Sequence, residues 1–189
     1  MSELPKHWIS AEQLLLDAMR LAAMVLADGY RPSVVVGLWR GGAPVAVALH
    51  EALAFRGLDS AHLPLVTRLY TGIDARASQV QIEGLALLQA HLAEPARILL
   101  VDDVFDTGTT LSAVVAAIIG LPGADREIRT ATPWYKPGRN RSTLTPDYWI
   151  HASDDWLVFP HELEGLSEQE LRTHRGEAFM RALGGEAET

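Results

Sequence analysis

The sequence predicts an α/β fold with a largely parallel sheet. Three observations carry this expectation: short unbroken apolar runs such as SVVVGL (33–38) and RILLVDD (97–103), helical-period segments between them, and turns rich in glycine and charge where the runs end. Strands covered by helices on both faces need apolar residues at nearly every position, and parallel neighbours need a helical crossover. In such sheets ligands bind beyond the carboxyl ends of the strands.

The elements follow in order. Ser10 with Gln13 suggests a capping box for a helix over about 11–28, whose Leu14, Leu15, Met19, Leu21 and Ala22 recur at helical spacing before Asp28–Gly29. SVVVGL ends in Arg40–Gly41–Gly42, and a helix over about 43–56 leads to a strand near 62–68. Residues 69–82 lack strong periodicity and read as a loop, followed by a helix near 83–92, the strand RILLVDD and a helix over about 109–120 closing at Gly120 and Pro122. REIRTATPWY (126–135) alternates like a strand, DYWI and WLVF are two short strands, and 167–183 reads as a closing helix.

Bulk properties narrow the functional classes. A chain of 189 residues suits one domain, and 48% hydrophobic with 21% charged residues is ordinary for a globular protein. No apolar run approaches the ~20 residues of a membrane span, and MSELPKHWIS lacks the apolar centre of a signal peptide. With no cysteine there is neither a disulfide framework nor a thiolate metal site. A formal charge of −8 argues against broad nucleic-acid binding. The expectations are a cytoplasmic protein, no membrane and no nucleic-acid partner.

Residues 98–110, ILLVDDVFDTGTT, hold the chemistry. Gly108 permits a tight turn in which backbone N–H groups converge at a helix N-terminus, and Thr107, Thr109 and Thr110 add hydroxyls. The turn is either a phosphate cradle or an ordinary threonine-capped connection. Asp102 and Asp103 repel each other at the end of an apolar strand, with Asp106 close behind. They fit either a ribose diol, Mg²⁺, or a solvated loop end. Walker and dinucleotide glycine patterns are absent, and the acid spacing does not match D-x-D-G-T.

This stretch resembles the phosphoribosyl pyrophosphate motif of type I phosphoribosyltransferases, and the resemblance runs over about residues 30–165. It implies that family's fold, a mostly parallel central sheet flanked by helices with a small hood. A single domain over 1–189 is expected, with its core at about 30–135, the hood at about 136–165 and the last helix at 167–183. It further implies that Asp102 and Asp103 contact the ribose hydroxyls and that Asp106, Thr107, Gly108, Thr109 and Thr110 hold the 5′-phosphate. GLWRGG (37–42) resembles the pyrophosphate loop, with Arg40 and Gly41 as its donors and a cis peptide at Trp39–Arg40.

WYKPGRNRSTLTPDYWIHASDDWLVFPHE resembles the C-terminal part of the 6-oxopurine branch, the hypoxanthine and xanthine-guanine enzymes. There Lys136 would donate to the purine O6, Trp156 would stack on the base, and the Leu157 carbonyl would meet the 2-position. Mg²⁺ would be held by Asp102, Asp103 and Glu162, the last standing where relatives usually have Asp. Asp106 is the candidate catalytic base or electrostatic partner of the purine. Phosphoribosyl pyrophosphate and a purine are the implied substrates, and a homodimer or homotetramer the implied assembly. Residues 69–82 fall where the family's lid closes, with Tyr70 and Thr71 as lid residues. The Gly138–Thr145 segment has no counterpart in the resemblance and reads as a flexible surface loop. A nucleotide-binding regulator on the same fold is the alternative in another class, and a transferase acting on a pyrimidine or adenine the alternative within enzymes.

Overall fold

The computed structural model describes residues 5–70, 79–92, 96–123 and 125–184. In chain order its elements are β1 (Lys6–Trp8), α1 (Ala11–Ala27), β2 (Val34–Trp39), α2 (Gly42–Phe55), β3 (Ala61–Tyr70), β4 (Gln79–Glu83), α3 (Leu85–Ala90), β5 (Ala96–Val101), β6 (Val104–Phe105), α4 (Thr109–Ile119), β7 (Arg126–Tyr135), β8 (Tyr148–Ala152), β9 (Trp156–Val158) and α5 (Glu168–Ala182). They form two compact units, Glu12–Asp154 and Met1–Ala11 with Asp155–Thr189. Residues 136–154 of the segment expected as a hood therefore go with the larger unit, and 155–165 with the smaller.

The larger unit is a mixed α/β body with the expected sheet. Seven strands run in the order β4-β3-β2-β5-β7-β6, with β8 also paired to β7. Every pairing is parallel except β3 with β4. The unbroken apolar runs have the expected cause: Val34, Val35 and Val36 of β2 and Ile98, Leu99, Leu100 and Val101 of β5 are all fully buried. Leu49 and Leu53 of α2 and Val114 and Ile118 of α4 are likewise shut off from solvent.

Three expectations need correction. The segment read as a loop from 69 is partly strand: β3 runs through Tyr70 and β4 begins at Gln79, paired residue by residue from Val66↔Glu83 to Tyr70↔Gln79. Antiparallel partners supply ladder bonds that no apolar period advertises, because one face of such a pair can stay polar. Thr71 lies outside the described residues. The helix expected at 83–92 shrinks to α3, six residues entered through Gly84. The 138–145 segment is a hydrogen-bonded turn, described below with the site.

The smaller unit is built on a parallel pair, β1 with β9, in the register Lys6↔Trp156, His7↔Leu157, Trp8↔Val158. Arg175 fastens α5 to it, donating to the carbonyls of Ile9 at 2.8 Å and Phe159 at 3.1 Å, while Trp8 stacks on His174 at 4.1 Å. Ser167 and Glu170 form a capping box at the start of α5. Glu170 also pairs with Lys6. The Lys6 ammonium, helped by the Ser167 N–H and hydroxyl, holds the Glu170 carboxyl down to about 2. Because the folded-state value is depressed, the stabilisation is present above the ordinary 4.5 and is lost as the pH falls toward 2. Between those limits the melting temperature of the wild type should fall more steeply than that of Glu170→Gln, as thermal unfolding at stepped pH would read. Parallel slopes would contradict the assignment.

Candidate active site

Strand register assembles the site within the larger unit. β2 and β5 are parallel neighbours with Gly37 opposite Val101, so their carboxyl ends lie side by side. Trp39–Arg40 is a cis peptide, and Gly41 follows. The approach to β5 is close: a Cβ built on Gly41 would fall 2.0 Å from Asp103 Oδ2. Only a residue without a side chain lets the first loop lie on the second strand's acids.

Asp103 is buried, and its backbone N–H donates to Asp102 Oδ1 at 3.0 Å. Burial, and next the charge of Asp103, push the Asp102 carboxyl well above the usual carboxylate range, against the pull of backbone N–H donors on Asp103 and Gly42. Two crowded carboxylates of this kind are hard-oxygen donors that suit a divalent cation.

Past the acids, β6 pairs with β7 through Val104↔Trp134 and Phe105↔Tyr135. The next residue on each strand is thereby brought alongside, and Lys136 N–H donates to the Phe105 carbonyl at 2.9 Å. Lys136 Nζ stands 3.7 Å from Asp106 Oδ2 although the side chain of Lys136 is only 7% exposed. A nearly buried ammonium needs such a partner. Gly108 then turns the chain into α4 with φ of 77°, and Thr107 and Thr109 hydroxyls lie 3.0 Å apart at the helix start. A cavity of about 190 Å³ is lined by Asp102, Asp103, Asp106, Thr107, Gly108 and Thr110 together with Val104, Phe105 and Leu111.

A wider groove of about 830 Å³ is lined by residues of α1 and α2, including Met19, Leu26 and Phe55. It is larger but lacks the hydroxyls and convergent acids, so the chemistry assigns the site to the smaller cavity.

The turn after β7 brings a further cation to Asp106. Arg139 Nε lies 2.7 Å from Asp106 Oδ1, an ion pair without an aligned hydrogen bond. Arg141 N–H donates to the Thr107 carbonyl at 2.9 Å, and a Cβ on Gly108 would meet Ser142 Oγ at 2.2 Å. The segment expected as a flexible loop thus packs on the phosphate-type turn. An arginine in an unmatched insertion carries no periodic signal, so the sequence alone did not single it out.

Of the expected site residues, Arg40, Gly41, Asp102, Asp103, Asp106, Thr107, Gly108, Thr109, Thr110 and Lys136 all belong to the larger unit. Trp156, Leu157 and Glu162 belong to the smaller one. There Trp156 is 48% exposed, with Lys6 Nζ 5.3 Å from its ring centre, while Leu157 is buried. Glu162 N–H donates to the Phe159 carbonyl at 3.1 Å.

A mostly parallel α/β sheet with acids and a hydroxyl-rich helix entry at the strand ends offers an anion-binding crevice where such folds take their ligands. The sequence matches the family model described as the phosphoribosyl transferase domain over residues 9–167, and the chain belongs to that family of transferases. The fold finds counterparts among solved structures. A purine phosphoribosyltransferase from Pyrococcus horikoshii is 29% identical with a TM-score of 0.68, over 86% of this chain and 98% of that one. The xanthine-guanine-hypoxanthine phosphoribosyltransferase of Helicobacter pylori is 20% identical at a TM-score of 0.62, over 83% and 92%. A hypothetical protein from Neisseria gonorrhoeae with bound ppGpp is 16% identical at 0.73, over 95% and 99%. A search of curated proteins finds no match. No described helix is long and apolar enough to cross a membrane.

Proposed function

We propose that the protein joins a 6-oxopurine (hypoxanthine, guanine or xanthine) to phosphoribosyl pyrophosphate, releasing the nucleoside 5′-monophosphate and pyrophosphate. The observation that carries this reading is the pairing of a nearly buried lysine with an acid beside the cradle, Lys136 Nζ at 3.7 Å from Asp106 Oδ2. A cationic donor recognises a 6-oxo group and meets an adenine amine donor to donor. The adjoining acid suits a purine nitrogen that must lose its proton.

In the proposed reaction the C1–O bond to the diphosphate breaks and a bond from C1 to purine N9 forms. The proton from the purine passes to the Asp106 carboxylate, and the pentose passes through an oxocarbenium-like state. Asp102 and Asp103 accept the ribose hydroxyls, while the Thr107–Thr110 turn holds the 5′-phosphate. Arg40, with the N–H of Gly41, takes the charge of the departing diphosphate. In the smaller unit, the resemblance to the 6-oxopurine branch assigns base stacking to Trp156 and a carbonyl for the 2-position to Leu157. Asp102 and Asp103 are the residues of the larger unit that would hold Mg²⁺, which when bound would supply positive charge to the diphosphate. A cytoplasmic homodimer or homotetramer completes the reading.

The test is pyrophosphate release with each purine and pyrimidine base in turn, with Mg²⁺ present. Release with one or more 6-oxopurines and little with adenine is expected. Lys136→Met should lower turnover on those oxopurines by about 10²-fold and erase the preference over adenine, because the discriminating donor is gone. Release with no base, alongside tight nucleotide binding, would favour the regulator instead.

A further inference from the structure

The turn at 136–144 is built more firmly than a surface loop requires. Gly138 N–H donates to Asp154 Oδ1 at 3.0 Å, Asn140 Nδ2 donates to the Leu144 carbonyl at 2.8 Å, and Asn140 Oδ1 accepts from the Ser142 N–H at 2.8 Å. Arg141 N–H adds its bond to the Thr107 carbonyl at 2.9 Å. Arg139 therefore projects from a fixed frame, and its Nε reaches Asp106 Oδ1 at 2.7 Å.

On the other side of the same carboxylate, Lys136 Nζ stops at 3.7 Å from Oδ2, beyond direct hydrogen-bond length. An ammonium and a carboxylate this close would ordinarily draw together to about 2.8 Å. The lysine side chain is 7% exposed and the aspartate 35%, so the carboxylate is the partner with room to move. Something holds it back, and the only other cation paired with it among the described residues is Arg139.

We infer that Arg139 is a positioning residue: it holds the Asp106 carboxylate away from Lys136, so that acid and cation remain separately available to the purine. A closed Asp106–Lys136 pair would satisfy both groups with each other and blunt the donor and the acceptor at once. This inference rests on the reaction proposed above and adds to it the device that keeps its two base-facing groups apart.

Two measurements on wild type, Arg139→Gln and Arg139→Lys test it. In steady-state assays Arg139→Gln should lose about 30-fold in kcat while KM for phosphoribosyl pyrophosphate stays within about threefold, since the defect is one of orientation at the reacting centre. Arg139→Lys, which keeps the charge, should recover kcat to within about fivefold of wild type. Unchanged kcat in Arg139→Gln overturns the inference. So does a rise in KM alone, which would make Arg139 a contact for substrate charge. Crystal structures of wild type and Arg139→Gln supply a reading independent of turnover: the Lys136–Asp106 separation should close to about 2.8 Å in the variant. An unchanged separation overturns the inference even where the enzyme is active. A wild type inactive with every purine would instead strike the proposed reaction, and the crystallographic distance would still decide what Arg139 does to the carboxylate.

Discussion

Replacing Asp106 with Asn is expected to lower kcat by about 10²–10⁴-fold, the range over which a positioned general base acts. Asn keeps the shape and can still accept a hydrogen bond, but it cannot take a proton or carry charge. The cradle lies on neighbouring residues with their own donors, so KM for phosphoribosyl pyrophosphate should change by no more than about threefold. The two constants should therefore separate in Asp106→Asn. A variant that kept wild-type turnover would remove Asp106 from the chemistry. One that lost turnover and substrate affinity together would make it a binding residue only.

The second large effect is expected at Gly41, from sterics. A methyl group there would sit 2.0 Å from Asp103 Oδ2 and 2.5 Å from its Cγ, far inside contact distance. Asp103 is buried beside Asp102 and has little room to retreat. Either the first loop lifts off β5 or the acid pair is displaced. In both cases Arg40 and the two acids lose their common geometry. Misplacement on the scale of 1 Å costs about 10²-fold in rate, so Gly41→Ala should lose at least that in kcat/KM. The sheet itself is untouched, and the variant should still unfold cooperatively. Near-normal activity in Gly41→Ala would mean that the two strand ends do not work as one site.

The parts of this arrangement that show in the sequence are those with local causes. The helix-covered strands β2 and β5 read correctly because Val34–Val36 and Ile98–Val101 must be apolar on both faces. Their ends read correctly because Arg40–Gly42 and Asp102–Thr110 break those runs with residues that a core cannot use. The parallel pairing of the two strands then follows from the fold class. What stayed hidden depends on distant partners. β6 is two residues long and has no period to detect, yet its register with β7 is what sets Asp106 beside Lys136. β1 is defined by its pairing with β9, some 150 residues away. Arg139 is marked by no local pattern, and its meaning arises only from the turn that returns it to Asp106. The capping box at Ser167–Glu170 is a different case: its S-x-x-E spacing stands in the sequence and foretells the start of α5.

The account stands on the claim that the acids and the hydroxyl-rich turn at 102–110 hold a phosphorylated pentose. Calorimetric titration of the protein with inosine 5′-monophosphate and, separately, with inosine isolates that claim, because the two ligands differ only in the phosphate. The monophosphate should bind at least about 100-fold more tightly, the equivalent of a few charge-assisted hydrogen bonds. Equal affinities for the two ligands would contradict it.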